Sequence, residues 1–164
     1  MTKKDELFKE AKTYLNSQQL GLVEDVATVL ERLKKFDHIN DYSFLVASAA
    51  KAYEGYLKDF FLKIKIITDE EYSGDRFRVG KTLNPSLRYK KFSIFQKLTK
   101  IHEKGEELAE VLWDAWKFGR NEIFHYFPKN LKRLTREEAE ERIDMILKAI
   151  IKSGKFLEQN DFSS

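Results

Sequence analysis

Three side chains in the segment GRNEIFHYFP, residues 119–128, are of types that could together act on a phosphodiester. Arg120 offers a fixed fork of N–H donors suited to phosphate oxygens, and His125 offers a group that exchanges a proton near neutral pH. The side chain of Asn121 can hold either of them in place by hydrogen bonding. Cleavage of RNA without a metal needs a base for the ribose 2′-hydroxyl and a cation for the charge that develops on the phosphate. These residue types therefore indicate a ribonuclease site.

The three side chains are expected near the end of an apolar helix over residues 106–126. Pro128 disfavours helical geometry in the residue before it, so the helix should stop there. On such a helix Asn121 and His125 share a face, and the long stem of Arg120 can swing its guanidinium to the same end. One histidine cannot easily be both base and acid, and a symmetric dimer would supply a second copy. The alternative is that these polar residues only decorate the surface of a core helix.

Helical periodicity covers nearly the whole chain, and little of the alternation typical of strands is present. We therefore predict an all-α bundle of four to five helices that forms a single domain over residues 1–164. The predicted elements are a lead-in helix within residues 1–18, helices around 22–33, 41–64, 93–103 and 106–126, and a last helix opened by a capping box of Thr135 and Glu138. A frayed tail is expected at 159–164.

The interval between the second and third main helices, residues 68–92, has the composition of a loop, and its part from Ser73 to Phe92 is strongly basic. Between Ser73 and Phe92 the cations are interleaved with aromatic residues, and Asp75 is the single acid. Cations neutralise phosphates, and aromatic faces can stack on unpaired bases, so a loop insert that binds RNA is predicted. The alternative is a solvated loop whose aromatic residues pack back onto the bundle. The cations are Arg76, Arg78, Lys81, Arg88, Lys90 and Lys91.

The composition narrows the possible chemistry further. The 164 residues include no cysteine, which excludes disulfides, thiolate metal sites and cysteine nucleophiles. The acids of the last helix alternate around its polar face without a histidine, so neither a metal site nor a cofactor is expected. A net charge of +3 permits binding of nucleic acid. No secretory signal and no run of membrane-spanning length is evident, so we expect a cytoplasmic protein without a membrane partner.

The segment RNEIFH, residues 120–125, resembles the R-x4–6-H motif of HEPN-domain ribonucleases, in which the residue after Arg is commonly Asn, Asp or His. The context is similar too, because the motif falls late in the third main helix of an all-α bundle and a closing helix follows. The resemblance covers residues 20–157, and beyond the motif it is one of topology. Residues 52–58 and the basic insert after them are also similar to the C-terminal domain of RNase LS-type toxins.

The resemblance implies a metal-independent endoribonuclease that works as a homodimer, as toxins and anti-phage defence components of this family do. Carried over to this chain, Arg120 and His125 would be catalytic and Asn121 would support them. Glu54, on the preceding long helix, would assist. The family also contains non-catalytic modules that bind a partner protein, such as an antitoxin or a nucleotidyltransferase, or a nucleotide. The intact Arg, Asn and His favour activity.

Overall fold

The computed structural model describes residues 3–33, 39–160 and 162, and these residues form helices and connecting turns without any strand. The prediction of an all-α fold is confirmed. The α-helices in the described part are α1 (Lys3–Lys12), α2 (Ser17–Arg32), α3 (Ser43–Lys63), α4 (Asp69–Ser73), α5 (Val79–Thr82), α6 (Ile94–Ile101), α7 (Gly105–Trp116) and α8 (Arg136–Gln159). Shorter helical turns lie at Pro85–Leu87, Lys117–Asn121 and Pro128–Asn130. None of the described helices is both long enough and apolar enough to cross a membrane.

Helix α3 lies at the centre of the fold and packs against both α2 and α8. Two of its buried tyrosines fix it to other helices. The hydroxyl of Tyr53 donates to the Leu112 carbonyl of α7 at 2.9 Å, and that of Tyr56 donates to the Ile150 carbonyl of α8 at 3.1 Å. A buried phenol without a partner would cost free energy, so these bonds favour one arrangement of the three helices. That arrangement positions the candidate site.

The start of α8 is capped as the sequence predicts. The Thr135 side chain accepts from the Glu138 N–H, and the Glu138 carboxylate accepts from the Thr135 N–H, which completes a capping box. The next residue, Arg136, donates to the Leu30 and Leu33 carbonyls at 3.0 and 3.2 Å. Because the last carbonyls of a helix lack partners within it, this guanidinium ties the end of α2 to the start of α8.

The two ends of the chain differ in how far they follow the expected pattern. The lead-in helix is α1, which ends at Lys12 and packs on α8 with Phe8 and Ala11 buried. Within the tail expected to be frayed, residues 161, 163 and 164 lie outside the described residues. Phe162 packs against Phe156 of α8, with 5.7 Å between the ring centroids.

The short helix expected at 93–103 is present as α6.

Residues 68–92 contain short helical segments where a loop insert was expected. They hold α4, α5 and the turn at Pro85–Leu87. Two polar residues of the segment act as caps: Thr68 forms a capping box with Glu71, and the Asn84 side chain accepts from the Ser86 N–H. Polar caps and loop residues look alike in sequence because both satisfy backbone N–H groups. The buried Val79 and Leu83 then attach the segment to the core.

Candidate active site

The residues of the RNEIFH motif lie where α7 changes to π-helical hydrogen bonding. Residues Lys117–Asn121 form a π-turn, in which the Glu122 N–H donates to the Lys117 carbonyl at 3.0 Å. Gly119 lets this turn approach α8 closely, since a Cβ there would lie 2.7 Å from Ile146 Cγ1. The prediction of one helix over residues 106–126 is therefore wrong at its C-terminal end. Such π-turns insert an extra residue and are frequent at functional sites.

Asn121 and His125 are in contact although they do not share a helix. Asn121 is the last residue of the π-turn and His125 lies in the bend that follows, with 3.2 Å between Asn121 Oδ1 and His125 Nε2. A carboxamide oxygen only accepts, so Nε2 carries the hydrogen in the neutral imidazole and Nδ1 is left as the basic nitrogen. The imidazole is exposed. A bend therefore brings Asn121 and His125 together, and the prediction that they share a helical face is wrong.

The Arg120 guanidinium is held from three sides. Its Nε lies 3.6 Å from Glu54 Oε2 of α3. Its central carbon lies 5.1 Å from the centroid of the Trp116 ring and 5.4 Å from that of Phe124. The ion pair and the two ring faces favour a charged and oriented guanidinium. Since 34% of the side chain is exposed, the group can also contact an anion from solvent.

Glu122, which the sequence analysis does not single out, attaches the bend to two other elements. Its carboxylate lies 3.4 Å from Lys132 Nζ and 4.0 Å from Arg142 Nη2 of α8. The Arg142 guanidinium also lies 4.9 Å from the centroid of the Phe118 ring. Glu122 is the single acid of the motif, and only 17% of its side chain is exposed. No local spacing identifies it, because both partners belong to later elements.

Asp41, just before α3, holds the segment that connects the motif to α8. Its Oδ1 accepts from the N–H groups of Ser43 and Leu134, at 2.9 and 3.2 Å, and its Oδ2 accepts from Asn130 Nδ2 at 3.2 Å. Lys129 and Asn130 have left-handed φ values of 60° and 51°, a conformation that such contacts must stabilise. Burial alone would raise the pKa of Asp41, but a hydrogen bond from the Ser43 hydroxyl at 2.6 Å and the three bonds above lower it to about 2. The sequence analysis missed this residue too.

The cations predicted to bind RNA fall into two groups. Arg76, Arg78 and Lys81 line one depression, and Arg88, Lys90 and Lys91 line another. Arg88 is already engaged, since its Nη2 lies 3.0 Å from Glu106 Oε1 and its guanidinium lies over the Phe95 ring. The aromatic residues also differ: Phe77 packs partly against the core, whereas 92% of Tyr89 is exposed. Phe77 thus packs onto the bundle as the alternative interpretation predicts, whereas binding of RNA by the exposed residues stays a prediction.

Trp116 connects the basic segment with the motif. The indole is buried between Arg120 and the backbone of α5, and a Cβ on Gly80 would lie 2.5 Å from Trp116 Nε1. Because Gly80 has no side chain, α5 can lie directly against the indole. Gly80 lies in the interval predicted to be a loop, so this contact could not be predicted from the sequence.

Comparisons of the chain with family models, with curated proteins and with solved structures found no match. Within the described residues, no three His, Asp or Glu side chains lie together so as to hold a metal ion. The chemistry of the site is therefore inferred from its geometry. An oriented guanidinium can bind a phosphate, and the His125 imidazole, with one nitrogen engaged by the Asn121 amide, can accept a proton at the other.

Proposed function

We propose that the chain is an endoribonuclease of the HEPN type, which cleaves RNA without a metal ion. The supporting observation is that two adjacent residues of one π-turn, Arg120 and Asn121, each contact a side chain that could take part in the reaction. Arg120 is paired with Glu54 at 3.6 Å, and Asn121 is paired with His125 at 3.2 Å. A cation that could bind a phosphate thus lies in the π-turn, and an imidazole that could accept a proton lies in the bend that follows it.

In the proposed reaction, Nδ1 of His125 takes the proton of a ribose 2′-hydroxyl, and the 2′-oxygen attacks the adjacent phosphorus. The bond from phosphorus to the 5′-oxygen breaks, which leaves a 2′,3′-cyclic phosphate on one product and a 5′-hydroxyl on the other. The Arg120 guanidinium stabilises the charge that develops on the phosphate oxygens. Glu54 keeps that guanidinium oriented, and Asn121 fixes the imidazole through Nε2.

The acid that protonates the departing 5′-oxygen comes, in this proposal, from a second copy of the chain. A homodimer with two motifs facing one cleft would supply another imidazole. Phe124 and Tyr126, which flank His125 and are 53% and 80% exposed, offer an apolar surface for such an assembly. The cations of residues 76–91 would then bind the RNA backbone near the cleft. The proposed role is that of a toxin or anti-phage defence component in the cytoplasm.

A second candidate is a non-catalytic HEPN-like module that binds an antitoxin, a nucleotidyltransferase or a nucleotide. It is favoured by the engagement of Arg120 with Glu54 and by the exposed apolar side chains around the motif, including Leu131, which is 75% exposed. In that case Arg120 and His125 would belong to a binding surface, and no RNA would be cleaved.

The test is cleavage of several RNAs in the presence of EDTA by the wild type, His125→Ala and Arg120→Ala. We expect cleavage by the wild type to persist in EDTA and to leave 2′,3′-cyclic phosphate ends. Each variant should lose at least about 100-fold in rate, because each removes a group that acts in the transition state. Arg133→Ala is the matched control, since Arg133 is exposed and forms no ion pair with the described residues.

Two outcomes contradict the proposal. One is wild-type cleavage that stops in EDTA, which would require a metal. The other is a folded, dimeric wild-type protein that cleaves none of the RNAs, which would favour the binding module. An equal loss in Arg133→Ala would show that the effect is not specific to the motif.

A further inference from the structure

The basic residues of this chain are concentrated in one stretch that extends beyond the predicted insert. Residues 76–102 contain eight Arg or Lys residues and no Asp or Glu. The rest of the chain therefore has 22 basic and 27 acidic residues, so it is acidic as a whole. A nearly neutral protein thus carries a local positive field over α5 and α6, and such a field attracts polyanions.

Part of this stretch forms an open depression that contains five cations and one tyrosine. Its lining includes Arg88, Tyr89, Lys90, Lys91, Lys97 and Lys100. Arg88 is paired with Glu106 at 3.0 Å, and Lys97 Nζ donates to the Ile66 carbonyl at 2.9 Å, so both are held in place. Lys90, Lys91 and Lys100 are exposed, and none of them forms an ion pair with a described residue. Three ammonium groups are thus available to phosphates.

Tyr89 lines the depression and belongs to a hydrogen-bonded turn. The N–H of Lys90 donates to the Leu87 carbonyl at 3.0 Å, and that of Ser93 donates to the Lys90 carbonyl at 2.9 Å. Ser93 then caps α6, with its side chain accepting from the Gln96 N–H. The ring itself is 92% exposed, and its hydroxyl forms no hydrogen bond with the described residues. An exposed aromatic ring among cations is the arrangement on which an unpaired nucleobase stacks.

We propose that this depression binds single-stranded RNA, with a base stacked on Tyr89 and the neighbouring phosphates bound by Lys90, Lys91 and Lys100. The proposal rests on the proposed function, because it defines the substrate as single-stranded. Bases of a duplex are already stacked and their faces are covered, so a duplex gains little from an exposed ring. The surface extends the predicted RNA-binding set by Tyr89 and by Lys97 and Lys100 of α6.

The experiment measures binding in the full-length His125→Ala variant, which retains Arg120 and should not cleave. Fluorescence anisotropy in EDTA is recorded with a labelled single-stranded RNA and with its duplex. We expect the single strand to bind more tightly, and Tyr89→Ala to weaken its binding about tenfold or more. Tyr89→Phe keeps the ring and should restore binding. Lys100→Ala should reduce the salt dependence by about one ion, whereas the exposed Lys148→Ala on α8 should not.

Equal binding of single strand and duplex, or no effect of Tyr89→Ala, would overturn the proposal and leave only general attraction of polyanions. Failure of a folded protein to bind any RNA would overturn it as well, and so would a preference for anionic lipid vesicles over RNA. Because binding is measured without cleavage, these results are independent of the test of catalysis. Tight Tyr89-dependent binding by a wild type that never cleaves would support this site and contradict only the nuclease.

Discussion

Arg120 differs from an ordinary surface arginine because its guanidinium is bounded by one carboxylate and two aromatic rings. The nearest carboxylate oxygen, on Glu54, is 3.6 Å away and lies on a different helix. A partly exposed ion pair contributes little to folding stability. We therefore infer that Glu54 serves mainly to orient the Arg120 guanidinium. Misplacement of a catalytic group by small distances lowers rates substantially.

We therefore predict that Glu54→Ala lowers kcat for RNA cleavage about tenfold with little change in KM, because the guanidinium loses its fixed orientation. Glu54→Gln keeps an acceptor of the same size and should recover part of the rate. The measurement is steady-state cleavage with kcat and KM resolved, and Glu141→Ala, on the exposed face of α8, is the control. An unchanged kcat in Glu54→Ala would show that Glu54 does not belong to the site.

Asp41 provides a prediction about stability and pH. Its pKa is lowered to about 2 in the folded protein from an ordinary value of 3.8. A lowered pKa means that its contribution to stability is complete above about pH 4 and is lost as the pH falls toward 2. Asp41→Asn should therefore lower the free energy of unfolding by about 1 kcal/mol at pH 7, and its difference from the wild type should shrink at pH 3. Urea unfolding at both pH values measures this.

The exposed Asp25→Asn on α2 is the control for that comparison, since no hydrogen bond holds its side chain to the described residues. A difference between Asp41→Asn and the wild type that stays constant from pH 7 to pH 3 would contradict the account of Asp41.

At the scale of elements, the sequence predicts the longer helices well, but it misses α4 and α5 and predicts the end of α7 poorly. Amphipathic stripes and the Thr135 capping box identify α3 and α8 because those signals are local. The π-turn at Lys117–Asn121 depends instead on the fit of Gly119 against Ile146, a contact between distant parts of the chain. The motif spacing correctly predicts that Asn121 and His125 are neighbours. The predicted cause is wrong, because a bend and not a shared helical face brings the two side chains together.

The contact of α5 with Trp116 leads to a prediction at this scale. Gly80→Ala would place a Cβ 2.5 Å from Trp116 Nε1, so the indole must move, and Arg120 lies over that indole. We expect a loss of about 1–3 kcal/mol in the free energy of unfolding, together with a kcat for RNA cleavage lowered several-fold. Gly21→Ala in α2 is the matched control, because its Cβ would meet nothing within 4 Å.

Combining Gly80→Ala with Trp116→Phe separates the two effects, since the smaller ring leaves room for the added methyl group. Part of the stability should return in the double variant. If Gly80→Ala matches the wild type in both stability and kcat, the link between the basic segment and Arg120 does not exist.

At the scale of the whole molecule, the positive charge and the motif belong to neighbouring parts of one fold. The segment from residue 76 to 102 carries the excess of cations, and α5 within it packs on the same indole that supports Arg120. The sequence predicts the positive charge of this segment directly, because the residue composition does not depend on the fold. Its proximity to the motif could not be predicted, since it depends on a glycine that contacts a tryptophan 36 residues later in the chain.

The central claim is that this chain cleaves RNA by attack of the ribose 2′-hydroxyl at a site built on Arg120 and His125. The most direct test compares an RNA oligonucleotide with the same oligonucleotide carrying a single 2′-deoxyribose on the 5′ side of the mapped cleavage position, both in EDTA. The account predicts cleavage of the RNA to a 2′,3′-cyclic phosphate and no cleavage at the substituted position. Cleavage of both oligonucleotides at the same rate would contradict it.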